Sequence, residues 1–72
     1  MIKKLKEYED YLFTKHIQYT LNGNKLMSKY YMACRNECRQ LIELFNEMKL
    51  SVNDWQRIYE LSKEYENIRG LL

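Results

Sequence analysis

The sequence predicts an all-α protein, a three-helix bundle built on a long antiparallel hairpin of helices 2 and 3. The 72 residues include no proline and only two glycines, and strong turn chemistry is confined to Asn22-Gly23-Asn24. A β-rich domain of this length needs several turns made from such residues. The 46% hydrophobic content and the net charge of +2 exclude a disordered chain. The length allows one domain, residues 1–72.

The first helix is predicted from about residue 2 to residue 20. Its buried face consists of residues at helical spacing: Leu5, Tyr8, Leu12, His16 and Tyr19. We expect this helix to pack across the other two in an up-down-up bundle.

The second helix, predicted over residues 25–49, has the clearest pattern. Asn22 or Asn24 can serve as its N-cap. Its apolar seam has the alternating spacing of a packed helix: Met27, Tyr31, Cys34, Cys38, Leu41, Phe45 and Met48. This seam outruns the neighbouring helices, which leaves open a homodimer through the end of helix 2 or through helix 1.

The third helix is predicted over residues 52–69. Ser51 has the side chain of an N-cap, and Asp54 lies at the matching position of a short capping box. Only Leu50 and Ser51 then separate helices 2 and 3. So short a link predicts that these two helices form an antiparallel hairpin.

Composition and charge exclude several classes of partner. A nucleic-acid mimic should be strongly acidic and a nonspecific DNA coat strongly basic, and a net charge of +2 fits neither. No stretch is apolar enough for a transmembrane helix, and charges interrupt any signal-peptide core near the start. We therefore expect a cytoplasmic protein with no membrane partner.

The sequence contains no catalytic signature and predicts no enzyme, metal or cofactor. Cys34 and Cys38 share one face of helix 2, but a structural zinc site needs four ligands. The single histidine, His16, lies on another helix. We expect both cysteines to be core residues, because Cys in an apolar seam behaves as a small hydrophobe.

The outer face of helix 2 has an unusual charge order. Four basic residues and Met32 occupy its first half, and Glu43 and Glu47 follow in its second half, opposite to the order that the helix dipole prefers. The basic stripe consists of Lys25, Lys29, Met32, Arg35 and Arg39. It is interpreted either as a partner-binding surface or as an ordinary solvated face. Nucleic-acid binding through this stripe is the first alternative, although four charges are few for phosphate-driven binding.

A second candidate surface lies on helix 3. Val52 and Tyr59 project away from its predicted buried face, and Trp55 lies on the border between them. Aromatic residues are enriched in the centres of protein interfaces. The surface is interpreted either as a docking site or as the place where helix 1 packs.

A short segment of helix 3 resembles a known motif. Leu61-Ser62-Lys63-Glu64-Tyr65-Glu66 is similar to the Ser-Gln-Glu-Leu-Asp motif of the small sporulation phosphatases of the Spo-zero-E type. Ser62 and Glu64 are identical within the motif, and Glu66 replaces its final Asp. Those proteins are helical hairpins that act on phosphorylated response regulators. The resemblance implies, as a second alternative, a phosphatase that uses Glu64 and Glu66.

The function that these observations favour is protein–protein interaction. We expect a small non-enzymatic regulator, inhibitor or adaptor that docks on a larger protein through the basic stripe or the helix 3 surface. The small size and the abundance of Lys, Asn, Ile and Tyr are typical of proteins encoded by phages or mobile elements of AT-rich bacteria.

Overall fold

The computed structural model describes residues 1–71, and within them the regular structure is entirely helical. Helix α1 spans Ile2–Leu21, α2 spans Lys25–Asn46 and α3 spans Val52–Gly70. The three helices pack on one another, so the predicted all-α class is confirmed. None of them combines the length and the apolar character needed to cross a bilayer.

One apolar core joins the three helices. Each helix contributes residues from a single face, and the core members are Leu5, Tyr8 and Leu12 of α1, Cys38 and Leu41 of α2, and Ile58 and Leu61 of α3. Burying a Leu or Ile side chain contributes about 1.5–3 kcal/mol. The positions of these core residues show that the core lies toward the N-terminal half of α1 and the C-terminal half of α2.

The turn between α1 and α2 is closed by the backbone hydrogen bonds of a Schellman motif. Gly23 has a left-handed φ of 76° and donates to the carbonyl of Thr20, while Asn24 N–H donates to the carbonyl of Tyr19. The Asn24 side chain then accepts from Met27 N–H and caps α2. Of the two predicted N-caps, Asn24 is therefore the one used.

Helix α2 ends at Asn46, so the prediction that it continues to residue 49 is wrong. Met48 adopts a left-handed φ of 58° and donates to the carbonyl of Phe45, and Lys49 N–H donates to the carbonyl of Leu44. These bonds form a second Schellman motif, which terminates the helix. Phe45 and Met48, predicted as the end of the buried seam, are exposed.

The early end of α2 changes how α3 is joined to it. The connection now runs over residues 47–51, and α3 begins with the capping box of Ser51 and Asp54, which is confirmed. The most extensive packing is between α1 and α2, and α3 approaches α2 closely at few points. The predicted antiparallel hairpin of α2 and α3 as the basis of the bundle is not confirmed, because the close helix packing is between α1 and α2 rather than between α2 and α3.

Polar contacts hold α3 in place where apolar packing is sparse. Arg57 donates from Nε to Glu37 Oε2 at 2.7 Å and from a terminal nitrogen to Glu37 Oε1 at 2.9 Å. This two-pronged hydrogen bonding holds the pKa of Glu37 below its usual range. On the other side of α3, Lys4 pairs with Glu66 and Arg69 pairs with Glu7.

Candidate functional site

The arginines of the basic stripe are engaged by α1. Arg35 lies with its guanidinium carbon 4.2 Å from the centre of the Phe13 ring, and its Nε is 3.5 Å from Glu9 Oε1. Only 20% of the Arg35 side chain is exposed. Arg35 therefore contributes mainly to the contact between α1 and α2.

Arg39 shares the same carboxylate. Its Nε lies 3.7 Å from Glu9 Oε1, although about half of its side chain is exposed. One glutamate therefore stands between two arginines of the stripe and offsets part of their charge. The charge order along the outer face of α2 is therefore partly balanced by Glu9, an acidic residue of α1.

The two lysines of the stripe lie apart from this cluster. Lys25 and Lys29 are exposed in the first two turns of α2, and neither forms an ion pair with the rest of residues 1–71. Met32 is half-buried, and its sulfur lies 3.9 Å from an Arg35 nitrogen. The structure therefore divides the stripe into a free lysine end and an arginine cluster.

The helix 3 surface is exposed and larger than predicted. Val52, Trp55 and Tyr59 lie on the solvent side of α3, and helix α1 packs instead on the face that holds Ile58 and Leu61. The end of α2 and the α2–α3 connection add apolar residues beside Trp55. We call this surface the turn patch, and its members are Phe45, Met48, Leu50, Val52, Trp55 and Tyr59.

The aromatic rings of the turn patch form a defined recess. Trp55 meets Phe45 edge-on, with ring centres 6.1 Å apart. These two residues, together with Met48 and Leu50, line a shallow depression of about 220 Å³. Val52, the first residue of α3, is 83% exposed. A depression walled by Trp, Phe and Met accommodates an apolar side chain of a partner.

Met48 is held at the mouth of this depression by unusual backbone. Its side chain is 92% exposed, and its left-handed φ costs a non-glycine residue roughly 1–2 kcal/mol. Strained backbone of this kind concentrates at functional positions. Sequence reasoning missed this recess because Phe45 and Met48 continue the apolar seam of α2 and give no sign that the helix has ended, and because Leu50 was assigned only to the link.

The two cysteines occupy positions of limited reactivity. Cys38 is fully buried, and burial raises the pKa of its thiol to about 12. Cys34 is half-buried on the same face, and both thiols are free. Over residues 1–71 no group of three or more His, Cys, Asp or Glu side chains is arranged to hold a metal ion.

The histidine lies in a small polar network between α1 and α2. His16 Nδ1 is 2.9 Å from both the carbonyl and the hydroxyl oxygen of Ser28. The Ser28 hydroxyl is also 2.7 Å from Thr20 Oγ1. His16 is therefore partnered by Ser28, and this network aligns the two helices near their turn.

The carboxylates that the phosphatase resemblance singles out both have partners within the chain. Glu66 pairs with Lys4 and lies 3.7 Å from Lys63. Glu64 accepts a long hydrogen bond of 3.4 Å from the Tyr8 hydroxyl. Burial and the nearby Glu64 raise the pKa of Tyr8, so this hydroxyl stays protonated.

The chain has no detected relatives that bear on these surfaces. No protein-family model, no curated protein and no solved structure matches it. The geometry of the described residues is therefore the basis for assigning a function.

Proposed function

We propose that the chain is a non-enzymatic protein–protein interaction module that docks on a larger protein through the turn patch. The observation that carries this proposal is the exposed apolar recess of Phe45, Met48 and Trp55, with Met48 in a left-handed conformation. The Met48 side chain is 92% exposed, so its burial contributes little to the stability of the fold. The strained backbone of Met48 together with its exposed side chain favours a role outside the fold.

The composition of the turn patch fits a regulator, inhibitor or adaptor that binds reversibly. A standard interface buries about 800 Å² on each partner and draws most of its affinity from a few aromatic anchors. Trp55 and Tyr59 supply such anchors at low conformational cost, because α3 already orders them. We propose that the module acts in the cytoplasm, as its sequence composition favours.

The nucleic-acid alternative receives less support from the geometry. Arg35 is largely covered, and both arginines of the basic stripe share Glu9. Each phosphate contact requires a free cation, so the stripe offers mainly its lysines. The phosphatase alternative is weakened in the same way, because Lys4 and Lys63 both lie against the Glu66 carboxylate.

The proposal is tested by placing a charge in the turn patch. Val52→Glu adds a carboxylate at the first position of α3, where the helix dipole tolerates it. The matched control is Leu71→Glu, which changes an equally exposed apolar residue outside the patch. We expect a partner recovered by affinity capture with wild type and the control, and lost with Val52→Glu.

The partner is then purified and titrated calorimetrically with all three proteins. If the partner covers Val52, an unpaired carboxylate buried at this position should weaken binding by at least about tenfold. Equal affinity for Val52→Glu and wild type would contradict docking through the turn patch.

A further inference from the structure

The opposite end of the molecule has a charge distribution of its own. Residues 11–36 contain no aspartate or glutamate, and all ten acidic residues lie outside this range. The same stretch contains Lys15, Lys25, Lys29 and Arg35. Because Arg35 is paired with Glu9, the free positive charge is concentrated at the lysines around the α1–α2 turn.

Apolar side chains protrude at the same place. Leu21, the last residue of α1, is 82% exposed, and Leu26, the second residue of α2, is 79% exposed. Ile17 and Tyr30 lie one turn further from the loop and are also exposed. We call this surface the hairpin tip, and its members are Ile17, Leu21, Lys25, Leu26, Lys29 and Tyr30.

The backbone of the hairpin tip is largely hydrogen-bonded within the chain. Gly23 and Asn24 N–H donate to carbonyls of α1, and the Asn24 side chain accepts from Met27 N–H. Backbone groups that enter a region poor in water must have internal partners. The turn can therefore approach such a region without leaving these donors unpaired.

We propose that the hairpin tip binds an anionic membrane surface. Lys25 and Lys29 contact the acidic headgroups, and Leu21 and Leu26 enter the boundary between headgroups and acyl chains. Cations beside apolar residues are the features of peripheral membrane contacts. The absence of a spanning helix, on which the expectation of no membrane partner rested, does not bear on contact at the surface.

Two other partners explain fewer of the observations. A nucleic-acid backbone would attract the lysines but would leave the two protruding leucines in water. A protein partner would need an acidic groove shaped to both leucines, which project from different helices. A fluid bilayer accepts both features without a preformed shape. The hairpin tip lies at the other end of α2 from the turn patch, so this proposal is independent of the proposed function.

The test measures binding to sedimentable vesicles of phosphatidylcholine, with and without about one third phosphatidylserine. We expect wild type to bind the anionic vesicles at low salt and to be released at high salt, because the Debye length falls from about 10 Å at 0.1 M to about 3 Å at 1 M. Neutral vesicles should bind it weakly.

Two pairs of variants locate the contact. Lys25→Glu with Lys29→Glu should weaken binding by more than roughly 25-fold, since each lysine near an anionic surface contributes roughly fivefold. Lys3→Glu with Lys6→Glu changes the net charge equally at the far end of α1 and should retain binding. Leu21→Gln with Leu26→Gln should weaken binding to anionic vesicles, whereas Leu71→Gln should not. Circular dichroism checks that every variant is helical.

Several outcomes would overturn the proposal. Wild type that stays in the supernatant of anionic vesicles at low salt contradicts it directly. So does equal binding by wild type and either hairpin-tip variant. Binding to duplex DNA but not to vesicles, unchanged by Leu21→Gln with Leu26→Gln, would assign the lysines to nucleic acid instead.

Discussion

The two turns at the ends of α2 use the same backbone design with different residues. Both close a helix with the paired hydrogen bonds of a Schellman motif. The left-handed position is Gly23 in the first turn and Met48 in the second, with φ of 76° and 58°. Glycine adopts this conformation without steric cost, whereas methionine adopts it only with steric strain. The first turn therefore forms without backbone strain, whereas the second places the Met48 side chain in a strained conformation that lowers stability.

The two turns also differ in what they join. The first brings α1 and α2 together along their lengths, while the second leads into α3, which approaches α2 at few points. Beside the shared apolar core, the contacts between α2 and α3 include the Glu37–Arg57 pair and the edge-on rings of Phe45 and Trp55. Leu50 of the second turn packs against the core, whereas the side chains of Phe45 and Met48 are exposed and remain available to a partner.

The largest effect is expected from substituting the glycine of the first turn. Gly23→Ala should destabilise the fold by about 1 kcal/mol, because alanine is strained in the left-handed region. Crowding does not contribute, since a Cβ at this position meets nothing within 4 Å. Thermal unfolding should show a loss of roughly 4–8 °C.

Gly70→Ala is the matched control for this substitution. Gly70 also has open space around its Cα, but it is the last residue of α3 and its φ is not left-handed. Alanine there should be neutral or slightly stabilising. Equal losses at the two glycines would mean that the first turn does not depend on the conformation of Gly23.

An intermediate effect on stability is expected at the Glu37–Arg57 ion pair, which joins α2 and α3. Glu37→Gln should cost about 0.5–1 kcal/mol at neutral pH, the range for a partly exposed ion pair with good geometry. The pKa of Glu37 is lowered in the folded state. The stabilisation by Glu37 is therefore fully present above the pKa of a glutamate in the unfolded chain, about 4.3. It is lost as the pH falls through the lower pKa of Glu37 in the folded protein.

Urea denaturation at several pH values measures this contribution. The stability difference between wild type and Glu37→Gln should shrink on acidification from about pH 5 to about pH 3. Glu43→Gln, an exposed change on the same helix, controls for the loss of a carboxylate. A difference between wild type and Glu37→Gln that stays constant with pH would show that Glu37 does not stabilise the contact through its charge.

The sequence predicted the beginnings of the helices better than their ends and their packing. Asn24 and Ser51 cap α2 and α3 through local side-chain bonds that can be read from neighbouring residues. Met48 ends the apparent seam of α2 in a conformation that methionine rarely adopts, so no local signal marks it. That shift lengthens the connection to α3 from two residues to five, and the most extensive packing in the structure is between α1 and α2 instead.

The candidate surfaces were predictable to different degrees. Exposure of Val52 and Tyr59 follows from their place opposite the buried face of α3. The pairing of Arg35 and Arg39 with Glu9 depends on how α1 lies against α2, which helical periodicity does not specify. A single-helix projection shows which residues share a face, but not which neighbour covers it.

The smallest effect on stability is expected from Met48→Gly. This substitution also tests most directly the difference between the two turns at the ends of α2. Glycine relieves the left-handed strain but increases the entropy of the unfolded chain, and the balance should be a gain of about 0.5 kcal/mol. Met48→Ala removes the same side chain and keeps the strain, so its stability should match wild type. Both variants should bind the turn-patch partner more weakly than wild type in calorimetric titration.

These two variants distinguish the effect of the Met48 backbone strain on stability from the contribution of the Met48 side chain to binding. If Met48 is kept for a partner, Met48→Gly is more stable and less active in binding, while Met48→Ala is only less active. A Met48→Gly protein that unfolds more easily than wild type would mean that the methionine supports the fold despite its 92% exposure. Unchanged affinity in both variants would remove Met48 from the turn patch and leave its backbone strain without a partner to explain it.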